Sequence, residues 1–217
     1  MASQTEENYL KALFTLKHIH GEISVSELGK RLDVSTPTVN SMIKKLHTKG
    51  LVHYEKYRPV KLSAKGERIA ALIIRKHRLS EMFLVEKMGF GWEEVHEIAE
   101  QMEHIKAPEF FDKMDQLLGY PKADPHGSPI PDKEGNIHRK SFRKLSSCEP
   151  GETVRLAAVV EASDDFLRFL NSRNLQLDLA IEILSKENFD GSMIVRYGDR
   201  EQEVLSGMVC ERLLIEE

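Results

Sequence analysis

The stretch SVSELGKRLDVSTPTVNSMIKKLHTKGLV, residues 24–52, decides the fold. Ser24 or Ser26 can cap a short helix carrying Leu28 and Leu32, because a serine hydroxyl accepts from the free N–H groups of a first helical turn. Asp33-Val34-Ser35 reads as a tight turn, and a second helix starts near Thr36 with Pro37 in its first turn, where an N–H has no helical partner to lose. Val39, Met42, Ile43 and Leu46 line one face of that helix and Gly50 closes it. Its other face carries Ser35, Thr38, Asn40, Ser41, Lys44 and Lys45, all polar and none large and apolar. Two short helices joined by a tight turn, the second polar outside, predict a helix-turn-helix that reads a DNA major groove.

Outward from this unit, LVHYEKYRPVKLS (51–63) alternates β-branched and aromatic residues around Arg58-Pro59, which predicts a two-stranded wing. Upstream, Tyr9, Leu10, Leu13, Phe14 and Leu16 recur at helical spacing until Gly21, giving a first helix. Downstream, a long helix is expected from Ser63 to Gly89, a helical segment over WEEVHEIAEQMEHI (92–105), and a further helix from Pro108 to Gly119. Helices outside a DNA-reading unit need a surface to pack on, and a homodimer is the usual one. Residues 121–147 are proline-rich and read as a linker. Beyond 148 the period changes to that of short strands at 153–157, 179–183, 192–196 and 212–215, with one helix at 164–171. The fold class expected is mainly α with a small β domain: a winged helix-turn-helix at 1–71, a helical dimerisation and metal-binding domain at 72–120, the linker at 121–147, and an SH3-like barrel at 148–217.

With 41% hydrophobic and 30% charged residues over 217, the chain suits a few globular units and not a disordered one. No apolar run reaches the roughly 20 residues of a membrane helix, and the polar start MASQTEENYLKAL is unlike a signal peptide, so a cytoplasmic protein without membrane contact is expected. Two cysteines, Cys148 and Cys210, make neither a disulfide framework nor a four-cysteine zinc site. Net charge is −4, but it is unevenly spread: residues 1–70 hold 12 Lys and Arg against 7 Asp and Glu, whereas 151–217 hold 7 against 14. Only the amino-terminal segment is suited to a polyanion. Lys44, Lys45, Lys49, Lys56, Arg58 and Lys61 are the candidates for phosphate contacts, and Ser35, Thr36, Pro37, Thr38, Asn40 and Ser41 for the groove itself.

The residues that carry chemistry are histidines and carboxylates on the middle helices. His77 and Glu81 stand four apart in RKHRLSEMF, as do His96 and Glu100, and Glu100 and His104, with Glu103 between them. Residues four apart share a helical face, so each helix presents a row of imidazole and carboxylate donors. Such rows are also common on solvated helices. As a ligand set, nitrogen and oxygen without thiolate favour manganese by type, with ferrous iron the alternative and other divalent first-row metals accessible in vitro. No phosphate-binding glycine loop, activated nucleophile or HExxH motif is present, which argues against an enzyme.

In order and in motif, the winged helix, RKHRLSE, VHEIAEQMEH, PHGSPIP and the small β domain resemble the diphtheria toxin repressor/manganese transport regulator (DtxR/MntR) family over essentially the whole chain. The resemblance implies a homodimeric metal-dependent repressor that binds a palindromic double-stranded operator controlling metal uptake, with a FeoA-like carboxyl-terminal domain. It also implies a primary metal site made of a first-helix position, here Asn8, with Glu100, Glu103 and His104. An ancillary site would take His77, Glu81 and His96, completed from the β domain, where Glu161 and Asp165 align best and Asp164 lies beside them. Asparagine replaces the methionine or aspartate of that family at position 8. Glu100 stands where iron-type members carry cysteine or methionine, as it does in manganese-type members. Two other classes remain open from the residues alone: a winged-helix regulator of an organic ligand, and a metal-dependent hydrolase.

Overall fold

A computed structural model of the chain describes residues 2–56, 58–138, 141–160 and 162–216, with the side chains of 18–20 left out. The chain packs into two units. One comprises Met1–Ser80, Ala99–Leu117 and Ile130–Ile137; the other comprises Glu81–Ile98, Leu118–Pro129 and His138–Glu217.

In the first unit, α1 (Gln4–His20) begins with a capping box: the Ser3 hydroxyl accepts from the Glu6 N–H while the Glu6 carboxylate accepts from the Ser3 N–H. Helix α2 (Val25–Leu32) is capped the same way by Ser24 with Glu27, which settles the choice between Ser24 and Ser26. It stops at Asp33, whose φ of 51° turns the chain into the left-handed region. Ser35 then caps α3 (Thr36–Thr48), with Pro37 in the first turn. Strands β1 (Val52–His53) and β2 (Lys61–Leu62) pair antiparallel as a short wing, and Ile23 bridges to Val60 beside it. Leu10 and Leu13 of α1, Leu28 of α2, Val39, Ile43 and Leu46 of α3, and Leu51, Val52, Val60 and Leu62 of the wing close over one buried core.

Helix α4 (Ala64–Met88) carries His77 within the first unit and Glu81 within the second. Only His96–Met102 of the segment expected to be helical from 92 to 105 is helix, α5; residues 92–95 form turns because the Glu94 carboxylate accepts from the Gly91 N–H. Helix α6 (Pro108–Leu117) follows.

The second unit is built on a six-stranded antiparallel sheet in the order β3-β8-β4-β5-β6-β7. The strands are β3 (Phe142–Lys144), β4 (Thr153–Val159), β5 (Ala180–Lys186), β6 (Met193–Tyr197), β7 (Arg200–Leu205) and β8 (Leu213–Glu216). Register shifts at 156/158, 183/185 and 195/197 mark bulges, which bend and coil a sheet of this size around its core. Helices α7 (Asp164–Ser172) and α8 (Gly207–Arg212) add Leu167, Leu170, Val209 and Cys210 to that core. β3 lies inside the stretch that composition assigns to the linker, and β7 and α8 carry no alternation or stripe long enough to announce them.

Candidate metal centre and DNA-reading face

Helix α1 sends two consecutive side chains, Glu7 and Asn8, toward different fates. The Glu7 carboxylate lies 2.6 Å from His104 Nδ1. The Asn8 Oδ1 is buried without a hydrogen-bond partner. One turn on, the Lys11 ammonium donates to Glu100 (2.5 Å) and to Glu103 (2.8 Å). Glu103 is fully buried; its Oε2 also lies 2.7 Å from His77 Nδ1, and its Oε1 has no hydrogen-bond partner. His77, Glu100 and Glu103 can bring one ligand atom each within 4.8 Å of one another. His104 Nε2 is 3.7 Å from Glu103 Oε1. A buried carboxylate oxygen left without a donor, beside two imidazoles, forms a pocket that a cation would satisfy and an apolar ligand would not. The donor set fits a divalent metal.

The second unit gathers a separate set. Glu81, Asp124 and His126 are buried and can also bring ligand atoms within 4.8 Å of one another. Glu81 Oε1 lies 3.3 Å from His96 Nδ1, and Glu81 Oε2 lies 3.9 Å from His126 Nδ1. His126 donates from Nε2 to the Trp92 carbonyl at 2.9 Å, which turns Nδ1 toward Glu81. The Trp92 ring stacks on the imidazole with centroids 5.8 Å apart, and its indole N–H donates to Asn171 of α7. The loop that delivers Asp124 and His126 is tightly held. Asp124 Oδ1 accepts from the N–H groups of His126 and Ser128, and the His126 carbonyl accepts from Val159 at the end of β4. Gly127 sits at φ +85°, where a Cβ would lie 2.2 Å from the Ala157 carbonyl oxygen.

The expected ligands thus divide. Glu100, Glu103, His104 and His77 come together near α1, with Asn8 on that helix; Glu81 and His96 meet in the other unit. Glu161 lies outside the described residues. The Asp165 side chain is 99% exposed and pairs with Arg168 one turn along α7, and among the described residues it joins no cluster able to hold a metal. Asp124 and His126 were missed because they lie in a segment whose prolines read as linker; the signal was Asp-Pro-His-Gly, two donors flanking a turn residue. Lys11 and Glu7 were missed because neither fits a metal-ligand spacing along one helix.

On α3, Ser35, Thr36, Pro37, Thr38, Ser41 and Lys44 are exposed, as the polar face requires. Asn40 is half-buried, its Oδ1 3.5 Å from the Tyr54 hydroxyl. Lys56 and Arg58 are exposed in the wing, and Arg58 approaches Glu55. Lys45 and Lys49 are paired instead with the buried carboxylate of Glu6, at 3.0 Å and 2.7 Å.

Comparison with known proteins agrees with this architecture. Residues 1–60 match the iron dependent repressor, N-terminal DNA binding domain; 63–132 match the iron dependent repressor, metal binding and dimerisation domain; and 143–217 match the FeoA domain. The diphtheria toxin repressor of Corynebacterium jeikeium is 35% identical over 220 residues, covering 88% of this chain and 92% of that protein. The iron-dependent repressor IdeR of Mycobacterium tuberculosis is 34% identical over 127 residues, so the match spans 58% of this chain and about half, 55%, of that relative. A solved manganese-dependent transcriptional repressor in complex with manganese superposes with a TM-score of 0.89 at 32% identity, covering 98% of this chain and 99% of that one. That family consists of DNA-binding repressors, which removes the hydrolase reading. The chain therefore belongs to the DtxR/MntR family of metal-dependent transcriptional repressors.

Proposed function

We propose that this chain is a homodimeric repressor that binds a palindromic DNA operator when loaded with a divalent metal, with manganese the preferred ion and ferrous iron the alternative. The observation that carries the reading is the pocket around Glu103, where a buried oxygen of Glu103 lacks a donor beside His77, Glu100 and His104; the Asn8 oxygen on α1 is also buried without a donor. These five residues would hold one ion; Glu81, His96, Asp124 and His126 would hold a second. A bound divalent cation would supply concentrated positive charge to carboxylates that the single Lys11 ammonium bridges here. Ligand type supports manganese, since all the donors are oxygen or imidazole nitrogen.

The chain's own residues explain how such a site reaches DNA. Asn8 stands on α1, and Glu100 and Glu103 stand at the end of α5. A shared ligand set therefore fixes α1 against α5. Helix α1 packs its Leu10 and Leu13 into the core shared with α2 and α3, so fixing α1 fixes the reading helix. Metal that binds the DNA-competent arrangement better than the alternatives raises DNA affinity by that difference and no more. DNA titrations with manganese, ferrous iron, cobalt and zinc under reducing conditions test the reading. Glu103→Ala is expected to abolish stimulation by every metal while circular dichroism stays unchanged. Full stimulation in that variant would refute the assignment.

A further inference from the structure

One turn of α1 looks in two directions. Glu7 meets His104 near the metal pocket, whereas Glu6 is fully buried and meets α3. The Glu6 carboxylate accepts from Lys49 at 2.7 and 2.9 Å, and its Oε1 lies 3.0 Å from Lys45, four residues earlier on the same face of α3. The same carboxylate closes the capping box on Ser3. Lys45 and Lys49 are themselves half-exposed on the reading helix, where a basic face alone would assign them to phosphates. A phosphate could recruit either ammonium only by displacing a buried anion and leaving it without partners, which is strongly unfavourable.

We propose that Glu6 is a positioning residue that couples α1 to the DNA-reading helix and withholds Lys45 and Lys49 from phosphate contacts. The proposal rests on the DNA-binding reading above. It makes the rigid link between metal pocket and α3 a three-residue ion cluster, in addition to the shared apolar core. It also assigns phosphate contact to Lys44 and to wing residues, and not to the two lysines held by Glu6.

The test uses the full chain and a labelled random-sequence duplex, with binding measured against salt concentration, metal-free and with manganese. Each phosphate contact contributes about 0.9 to the slope of log K against log salt. Lys45→Gln and Lys49→Gln are expected to leave the wild-type slope unchanged. Glu6→Gln, which frees both ammonium groups, is expected to steepen it by about one to two units, and the double variant Glu6→Gln/Lys49→Gln to return about one of them. By calorimetry Glu6→Gln should keep its manganese affinity, while the factor by which manganese tightens DNA binding falls at least about tenfold, a split that loss of general stability would not produce. A Lys49→Gln or Lys45→Gln slope that flattens by about one unit in the wild-type background overturns the proposal. So does a Glu6→Gln protein with unchanged slope and unchanged metal response. Should Glu6→Gln fail to fold, the two lysine variants decide the matter alone. Failure of the DNA-binding reading itself looks different: the wild type would not bind the duplex at any manganese concentration, and both ideas would fall.

Discussion

Glu103 and Asn8 show what a single residue can decide. Glu103 was legible in the sequence because it falls three residues after Glu100 and one before His104, a spacing that reads as one helical face, although α5 ends at Met102 and leaves Glu103 and His104 in the turn that follows. That its second oxygen is buried without a partner was not, since burial depends on α1 arriving from about 90 residues away. Asn8 offers a neutral oxygen where a carboxylate would bring charge. Asn8→Asp is expected to tighten manganese binding by about tenfold, because an anionic ligand gains directly from the cation, and to lower the melting temperature of the metal-free protein by putting a charge where a buried neutral oxygen already lacks a partner. Calorimetry and a thermal melt read the two effects. Glu6 makes a pH prediction. Lys49 foremost, with the Ser3 N–H and Lys45, holds its carboxyl well below the ordinary 4.5, at about 2. A depressed carboxyl stabilises the fold fully above its unfolded pKa and loses that contribution as pH falls toward the folded one. The difference in melting temperature between wild type and Glu6→Gln should therefore be largest near neutrality and shrink between pH 4.5 and about 2. A constant difference would show that the ion cluster contributes nothing.

At the scale of elements, the helix-turn-helix was readable because its signals are local: Ser24 and Ser35 as caps, Pro37 in a first turn, and apolar residues at helical spacing all fall within the stretch they describe. The β domain was readable only in part. Strand β3 takes its place through pairing with β8, some 70 residues away, and β7 is an edge strand whose exposed residues, Glu201, Gln202 and Val204, do not alternate with buried ones. The loop 123–129 lies in the proline-rich stretch read as a linker, and its turn is held by hydrogen bonds to Asp124 and from Val159 that composition does not announce. Gly127→Ala tests its importance. Left-handed backbone and the close approach to Ala157 should destabilise the loop by more than about 2 kcal/mol and move His126 from Trp92. Because Trp92 is the only tryptophan, intrinsic fluorescence should shift in the variant and should respond to manganese less than in the wild type. An unchanged spectrum and titration would mean that the loop tolerates a side chain. In α3, Lys44→Gln should weaken binding to all duplexes alike and flatten the salt slope by about one unit. No change in slope would remove Lys44 from the contacts.

For the whole molecule, charge segregation carries the same message as the fold. The largest basic excess lies in residues 1–70, which hold the winged helix, and the largest acidic excess in residues 151–217, which hold all but one strand of the six-stranded sheet. Composition therefore showed which part of the chain can face a polyanion, while leaving the metal to be inferred from ligand chemistry. The split of donors into two sets could not be read from spacing, because α4 and α5 each feed both units. Coupling between cation and duplex is tested most directly by the affinity of the protein for a palindromic duplex selected from a random pool, metal-stripped and then saturated with manganese. Tightening by about 100-fold, the upper range of ordinary coupling between two sites, is the expected result. Equal affinity in the two states would contradict the account.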